Sequence, residues 1–567
     1  MFEIILNILC LGISTYLMGS GFLHIIKFPV SEPVFTKKRR GGGEENSGAG
    51  LDLAIVSGLC ILTVYAEFFS LFTNVGGLAF SFVILACFVI LFFLKKEVLF
   101  SIKKFFSKDM AIRIVIIILI AIPVLILANQ PASHYDTDLY HAQSIRWIEE
   151  YGIAPGLGNL HNRLAYNSAF FSLQALFSWR FILGRSLHCV NGFVFLFFIS
   201  YAICTAKAFK YKKFFVSDFL RIVMIAYFNY SLVISSPETD HFALGLVIYI
   251  FIKWTELWEE KNEEIENYAV LCLFSLLAVS VKLSAGMMVL LTIYPAYKMI
   301  ITRNWKQVFK YTVAGIIIII PFLIRNIIIS GYLLYPYPEI DIFNFNWKMT
   351  PESLLRDRHE ISAWGRGLND VNRYEAGFNE WFPGWYNNMS KTLQKMLFLN
   401  IPAAMVGIIT GAWNIARKKD INFIVIVCTM IASICLWFKG APLLRYGMCY
   451  IIMLPLFIVG YIVVILQEKW KFYTSSIIVL VAAGSYLMQP VISAGVNSEC
   501  GSFSYSQDYN VRECIKQDIG NFEFYYPVSG DQTGYHNFPA TPYKTCLEKI
   551  EMRGKSLRDG FKLKGGN

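Results

Sequence analysis

The sequence predicts an all-α polytopic membrane protein with about 12–14 transmembrane helices, extracytoplasmic loops and a small extracytoplasmic C-terminal tail. Three observations carry that expectation. Of the 567 residues, 56% are hydrophobic and only 16% are charged, whereas a soluble chain carries about a quarter charged residues. Apolar stretches of helical length recur along the chain. Lys and Arg gather in alternate connections between those stretches, as the positive-inside rule requires.

The first apolar run, Ile4 to Ile26, has no basic n-region and no small-residue cleavage site after it. It reads as a membrane helix and not as a removed signal peptide. Further spans are expected at 52–74, 77–94, 111–128, 186–206, 217–235, 241–253, 268–281, 283–297, 311–329, 396–416, 421–438, 446–466 and 474–490. Those at 241–253, 268–281 and 283–297 are short for a straight crossing. They suit half-helices or re-entrant segments lining a cavity. Segment 41–50 has the composition of a flexible linker. The chain thus divides into N-terminal membrane helices with a linker (1–110), a main membrane domain (111–490) and a tail of mixed structure (491–567).

The basic runs Lys37–Arg40, Lys95–Lys108, Lys207–Lys213, Lys298–Lys310, Arg417–Lys419 and Lys469–Lys471 are placed in the cytoplasm. Connections 129–185, 236–240, 330–395 and 439–445 and the tail then lie outside. The acidic run Glu256 to Glu266 falls inside, as a solvated helix end. The net charge of +11 is spread over these short runs, which argues for membrane orientation and against a nucleic-acid partner. Of 12 cysteines, nine lie in or beside apolar spans, where Cys acts as a small hydrophobe. There is no Cys-x-x-Cys pair for structural zinc. Cys500, Cys514 and Cys546 lie in the tail, where an oxidising compartment would allow one disulfide.

The chemistry centres on His134-Tyr135-Asp136-Thr137-Asp138-Leu139-Tyr140-His141, directly after the span at 111–128. Asp136 can cap the helix that follows. Asp138 then falls in its first turn, with His141 three residues on along the same face. An acid and an imidazole so placed can share a proton or orient a hydroxyl. The bland readings are a helix cap for Asp136 and a half-buried, satisfied imidazole for His141. Gly152 to Arg163 lacks the preceding strand and the following Lys-Ser/Thr of a phosphate loop, so it reads as a turn-rich lid. Ala165 to Trp179 reads as an interfacial segment.

More ionisable groups fall at the same predicted face. Asp240 ends Ser236-Pro237-Glu238-Thr239-Asp240, Lys282 sits between two apolar runs, and Arg325 lies near Tyr335 and Glu339. Arg445 follows Lys439-Gly440-Ala441-Pro442. Charge at membrane depth is costly, so Lys282 and Arg325 are functional candidates; the alternative is snorkelling or pairing with a carboxylate such as Asp240. The cations suit a phosphate or diphosphate and the carboxylates suit activation of a hydroxyl or amine. Trp347, Trp364, Trp381, Phe382 and Trp385, with His359 and Arg366, stand in the connection 330–395. They would stack on sugar rings or anchor the loop at the interface. No cofactor is predicted, because oxygen ligands this sparse do not specify a divalent metal.

Asp136-Thr137-Asp138, Pro237 to Asp240, Lys282-Leu283-Ser284 and Arg325-Asn326 followed by Gly331-Tyr332 and Tyr335-Pro336 together resemble motifs of the GT-C glycosyltransferase superfamily. These polytopic enzymes take sugar from a polyprenyl-phosphate carrier; they include lipid A aminoarabinose transferases and protein O-mannosyltransferases. More closely, Tyr135 to Asn167 resembles a group of uncharacterised bacterial membrane proteins. Two features depart from these patterns. Extra spans precede the acidic loop, and Thr533 stands after Gly530-Asp531-Gln532 where the closer group has Cys. The resemblance implies that Asp138 or Asp136, with His141, activates or orients an acceptor. Asp138 is narrowly the favoured base. Lys282, Arg325 and Arg445 would bind the carrier phosphate, aided by Asp240, Tyr335 and Glu339 as substrate-binding residues. It further implies a bacterial cytoplasmic membrane, an external or periplasmic site, a lipid, glycan or protein acceptor, and a place in cell-envelope polysaccharide biosynthesis. A surface-polysaccharide polymerase or ligase, or a flippase of lipid-linked sugars, is the other reading. A transporter would place charges near the midplane and often carries repeats; here the charges gather at one face and no repeat is visible.

Overall fold

Long apolar runs of this chain are helical, because in lipid only a helix satisfies each backbone N–H and C=O within one segment. The structure, a computed structural model, describes residues 1–26, 50–107, 110–418, 420–470 and 507–565. The 474–490 span, Cys500, the basic run 37–40 and nearly all of the 41–50 linker lie outside the described residues. Among those described, ten helices are long and apolar enough to cross a membrane, or eleven with one bent pair. The chain is a mostly helical, multi-pass membrane protein.

Helices α1 (Phe2–Ile25) and α2 (Leu51–Ser70) lie against each other. Glycines allow the approach: a Cβ on Gly58 would sit 1.8 Å from the Thr15 carbonyl oxygen, and one on Gly19 would sit 1.7 Å from that of Ala54. Small residues at such crossings are what close packing in lipid requires. Next come α3 (Gly77–Phe93), α4 (Lys95–Phe105) and α5 (Ala111–Ala128). The first large connection carries a π-helical turn (Thr137–His141), then α6 (Ala142–Tyr151), α7 (Leu157–Leu160), α8 (Ala169–Leu176) and α9 (Arg180–Leu183).

The bundle continues with α10 (Val190–Cys204), α11 (Lys207–Tyr211), α12 (Val216–Tyr230), α13 (Asp240–Glu259) and α14 (Ile265–Val281). A 3-10 segment (Leu283–Thr292) leads into α15 (Ile293–Ile301) and α16 (Trp305–Ser330). The second large connection holds α17 (Pro351–Gly365) and α18 (Phe378–Asn387), before α19 (Lys391–Lys418), α20 (Asn422–Gly440) and α21 (Leu444–Trp470). Two expected spans, 217–235 and 268–281, are the short helices α12 and α14, while 241–253 extends to the 20-residue α13. Polar groups along α13, Trp254 and Glu256 among them, are buried in the bundle, so hydropathy alone undervalues it. One apolar core runs from Ile4 through to Ile458 and takes in α1 and α2.

The tail forms two small hairpins. β1 (Cys514–Ile519) pairs antiparallel with β2 (Phe522–Pro527) through a tight Gly520-Asn521 turn, in which Gly520 has φ +62°. After α22 (Lys544–Lys549), β3 (Ile550–Met552) pairs with β4 (Phe561–Leu563). Phe524, Leu547 and Phe561 share a second core with Trp147, Leu157, Leu160 and Tyr332. The tail docks as a layer on the first connection. Two earlier expectations change as a result. Residues 152–163 lie packed beneath the tail and do not form a lid; Phe561 N–H, for one, donates to Pro155 O at 2.9 Å. Every residue of α8 is buried, so 165–179 does not rest on the membrane surface. Cys514 and Cys546 are both free thiols.

Candidate functional site

The acidic motif folds as a π turn, which places one extra residue in its turn and in other proteins gathers at functional sites. Asp136 precedes it with helical backbone angles and makes no side-chain cap bond. Its carboxylate instead accepts from Arg445 Nη2 at 2.6 Å. Arg445 is the second residue of α21. Its Nε lies 3.7 Å from an Asp240 oxygen, its Nη2 also donates to Tyr446 at 3.0 Å, and its Nη1 touches the His134 ring.

Asp240 is the first residue of α13 and pairs on its other side with Lys282. Lys282 stands in extended backbone (φ −154°, ψ 124°) at the break between α14 and the 3-10 segment. The break presents its ammonium to the cluster, 3.5 Å above the Tyr446 ring. Glu238 supports the start of α13: it accepts the Asp240 N–H at 2.6 Å and the His241 N–H at 3.1 Å, and pairs with the His241 ring. Four chain segments thus deliver an alternating row, Asp136–Arg445–Asp240–Lys282, to one end of the bundle.

The row is more open at its cations. Side-chain exposure is 30% for Arg445 and 19% for Lys282, against 16% for Asp136 and 8% for Asp240. An incoming anion therefore meets the cations first. Burial alone would raise the Asp136 carboxyl, but Arg445, His141 and His134 together outweigh it and hold the group at about 2. Burial pushes His141 down to about 3. His134 is lowered too, by burial and then by Arg445. Both imidazoles are neutral at pH 7 and can accept a proton. His141 Nδ1 is buried and has no hydrogen-bond partner.

Asp138 points into different company. Its Oδ2 accepts from Arg512 Nη2 at 2.6 Å, Arg512 Nε at 3.0 Å and Asn510 Nδ2 at 3.1 Å. Its main-chain oxygen accepts from Thr533 and Gly534 N–H groups at 2.8 and 2.9 Å. Gln143 and Arg146 extend the grip to main-chain oxygens of residues 534–537. The two aspartates stand two positions apart, a spacing that does not share a helical face.

The other sequence candidates lie apart from the charged row, and none of their described contacts reaches Arg445 or Lys282. Arg325 is buried within α16, donating to Asn167 at 2.9 Å and to Ser70. It lines an internal cavity of about 20 Å³ with Ser144, Trp147 and Asn167, room for about one water. Tyr335 is buried beside Tyr166 and Asp357, and Glu339 is exposed and bonded to Arg358 at 2.7 Å. Trp381 and Trp385 of the second connection are buried against each other, whereas Trp364 is exposed. Trp385 Nε1 donates to Pro442 O at 2.6 Å and Gly365 closes on Ala441, so α17 and α18 brace the turn that presents Arg445. Arg163 stacks on Trp364 and Arg553 on Trp347.

Sequence reasoning gave no role to Glu67, Asn510 or Arg512. A carboxylate inside an apolar span was a signal for Glu67, which is fully buried with neither oxygen hydrogen-bonded. Nothing local marks Asn510 or Arg512.

No curated protein and no solved structure matches the chain. The family described as a domain of unknown function, DUF8201, matches residues 1–452, which include Asp136, Asp240, Lys282 and Arg445 and exclude the tail. The chain belongs to the DUF8201 family.

Proposed function

We propose that the protein is a membrane glycosyltransferase. It moves a sugar from a polyprenyl-phosphate carrier to a lipid, glycan or protein acceptor at the external face of a bacterial cytoplasmic membrane. One observation carries this reading: two cations and two carboxylates alternate in a single row at a bundle end, with the cations the more open. Sidedness is supported by the basic residues Lys207, Lys210 and Lys213, which lie at the other end of the bundle, beyond the far ends of α10 and α13.

The row suggests how substrate itself creates the base. The donor phosphate takes Arg445 and Lys282 through charge-assisted bonds. Asp136 and Asp240 then lose their cationic partners, and the proton affinity of Asp136 rises. The acceptor oxygen attacks the anomeric carbon as Asp136 takes its proton. The bond from that carbon to the phosphate oxygen breaks, and polyprenyl phosphate departs with the electron pair. Direct displacement inverts the anomeric centre. Asp136 is the base in this scheme, since Asp138 is occupied by Arg512 and Asn510.

The test is transfer by the purified full chain from a panel of polyprenyl-phosphate hexoses and pentoses to extracted envelope acceptors. Asp136→Asn should lower turnover by about 10²–10⁴, and Arg445→Gln should weaken use of the donor. Full turnover in both variants would refute the assignment.

A further inference from the structure

Helices α3 and α4 form an arm at the edge of the bundle. Only Ala79, Val83 and Cys87 of α3 are buried, so most of that helix faces outward. The chain then bends by 86° between Gly77–Phe93 and Lys95–Lys103. Backbone bonding continues round the corner, from Leu94 N–H to Ile90 O at 2.8 Å and from Val98 N–H to Leu94 O at 2.9 Å. With α3 taken along the bilayer normal, the right-angle turn would lay α4 along the membrane surface. The connection to α5 is short, and α5 ends at the Asp136 turn. Helix α4 therefore lies at the end of the bundle opposite the charged row.

The faces of α4 are sorted. Leu94 and Val98 are buried against the protein. Leu99, Ile102 and Phe106, at i, i+3 and i+7, form a strip that is 45%, 46% and 70% exposed. Exposed Lys96 and Lys103 border one side of the strip and exposed Lys95 stands at its head, and Glu97 is the sole acid between Lys95 and Phe105. Phe100 interrupts the polar side. An apolar strip bordered by cations and held parallel to the bilayer is the arrangement of an interfacial helix.

We propose that α4 is a binding surface for anionic phospholipid, with the strip in the acyl boundary and the lysines on headgroup phosphates. Charge selects this occupant, because a zwitterionic surface offers the lysines no net attraction, whereas an anionic one offers about five-fold in binding per lysine.

The full chain is reconstituted in vesicles of equal phosphatidylglycerol and phosphatidylcholine, with a photoreactive benzoylphenylalanine at Ile102. Phosphatidylglycerol adducts should exceed phosphatidylcholine adducts several-fold in low salt. The excess should collapse towards parity in Lys95→Glu/Lys96→Glu/Lys103→Glu and, for the unmodified lysines, in high salt. The salt arm keeps the test decisive if the triple variant does not fold. Equal adducts in low salt, or crosslinks chiefly to a second copy or another protein, would overturn the proposal.

Discussion

Arg445 and Asp136 stand 309 positions apart in sequence, yet Nη2 of one lies 2.6 Å from the carboxylate of the other. The same guanidinium reaches Asp240 at 3.7 Å, so one cation holds two acidic segments together. Removing it should do two separable things: leave the largely buried Asp136 without its cation and Asp240 with Lys282 alone, and remove a phosphate ligand.

The structural effect is readable without any activity. Arg445→Gln should destabilise the protein by about 3 kcal/mol, the range for breaking one side of a largely buried ion pair. In Asp136→Asn/Arg445→Gln the stranded charge is gone, so the loss should fall short of the sum of the single variants by about 1 kcal/mol or more. Thermal unfolding of the four proteins in one detergent measures this. Additive losses would mean that the two side chains do not interact.

Asp138 should behave differently from its neighbour. Its carboxylate holds Asn510 and Arg512, while its main-chain oxygen keeps Thr533 and Gly534 whatever the side chain, so Asp138→Asn should loosen the stretch around residues 510–512. Loss of buried charged hydrogen bonds of this kind costs about 1–3 kcal/mol. Tail amides should then exchange about ten-fold faster or more, by hydrogen–deuterium exchange with mass spectrometry. Arg512→Ala should reproduce the effect, and Asp136→Asn should leave tail protection unchanged.

Close helix contact gives a third expectation. A side chain on Gly58 would collide with backbone at Thr15, which cannot move aside as a flexible side chain can. Gly58→Val should therefore separate α1 from α2 and sharply reduce the yield of folded protein, whereas the same change at Gly440, with no atom near its Cβ position, should be tolerated. Fluorescence-detected size-exclusion chromatography of crude membranes compares the two.

What the sequence makes legible follows from how local each cause is. Hydropathy is local, so α1, α2, α5, α16, α20 and α21 are visible as apolar runs. Charge beside an apolar run is local as well, and it marks Asp136, Asp240, Lys282 and Arg445, but within a wider set that also holds Asp138, Arg325 and Glu339. The choice between Asp136 and Asp138 is not local. It depends on Arg445 and on Arg512, which lie 309 and 374 positions away. Arg325 carries the same local signal in a different setting. Charge at depth reads as function, but Ser70 and Asn167 satisfy it inside the protein. The tail stayed obscure because its short strands gain much of their burial from Trp147 and Leu157, which lie far away in the sequence.

The last expectation concerns pH. Asp357 of α17 is fully buried where the two large connections meet; it accepts from Asn162 at 2.8 Å and from the Tyr166 hydroxyl. Burial raises its carboxyl to about 6, against the lowering effects of Arg163 and Tyr166. A carboxyl raised on folding is one that the folded state prefers to keep protonated. Its contribution to stability is therefore complete below the usual value of 3.8 and is lost as pH rises through about 6. Asp357→Asn keeps the shape and an acceptor oxygen without the charge. It should be more stable than the parent above pH 6, by at most about 3 kcal/mol, and the advantage should shrink to nothing by pH 4. Melting temperatures of both proteins from pH 4 to 8 give the difference curve. A curve of opposite slope, with the Asn variant losing ground as pH rises, would show that Asp357 is ionised in the fold and stabilised by Arg163.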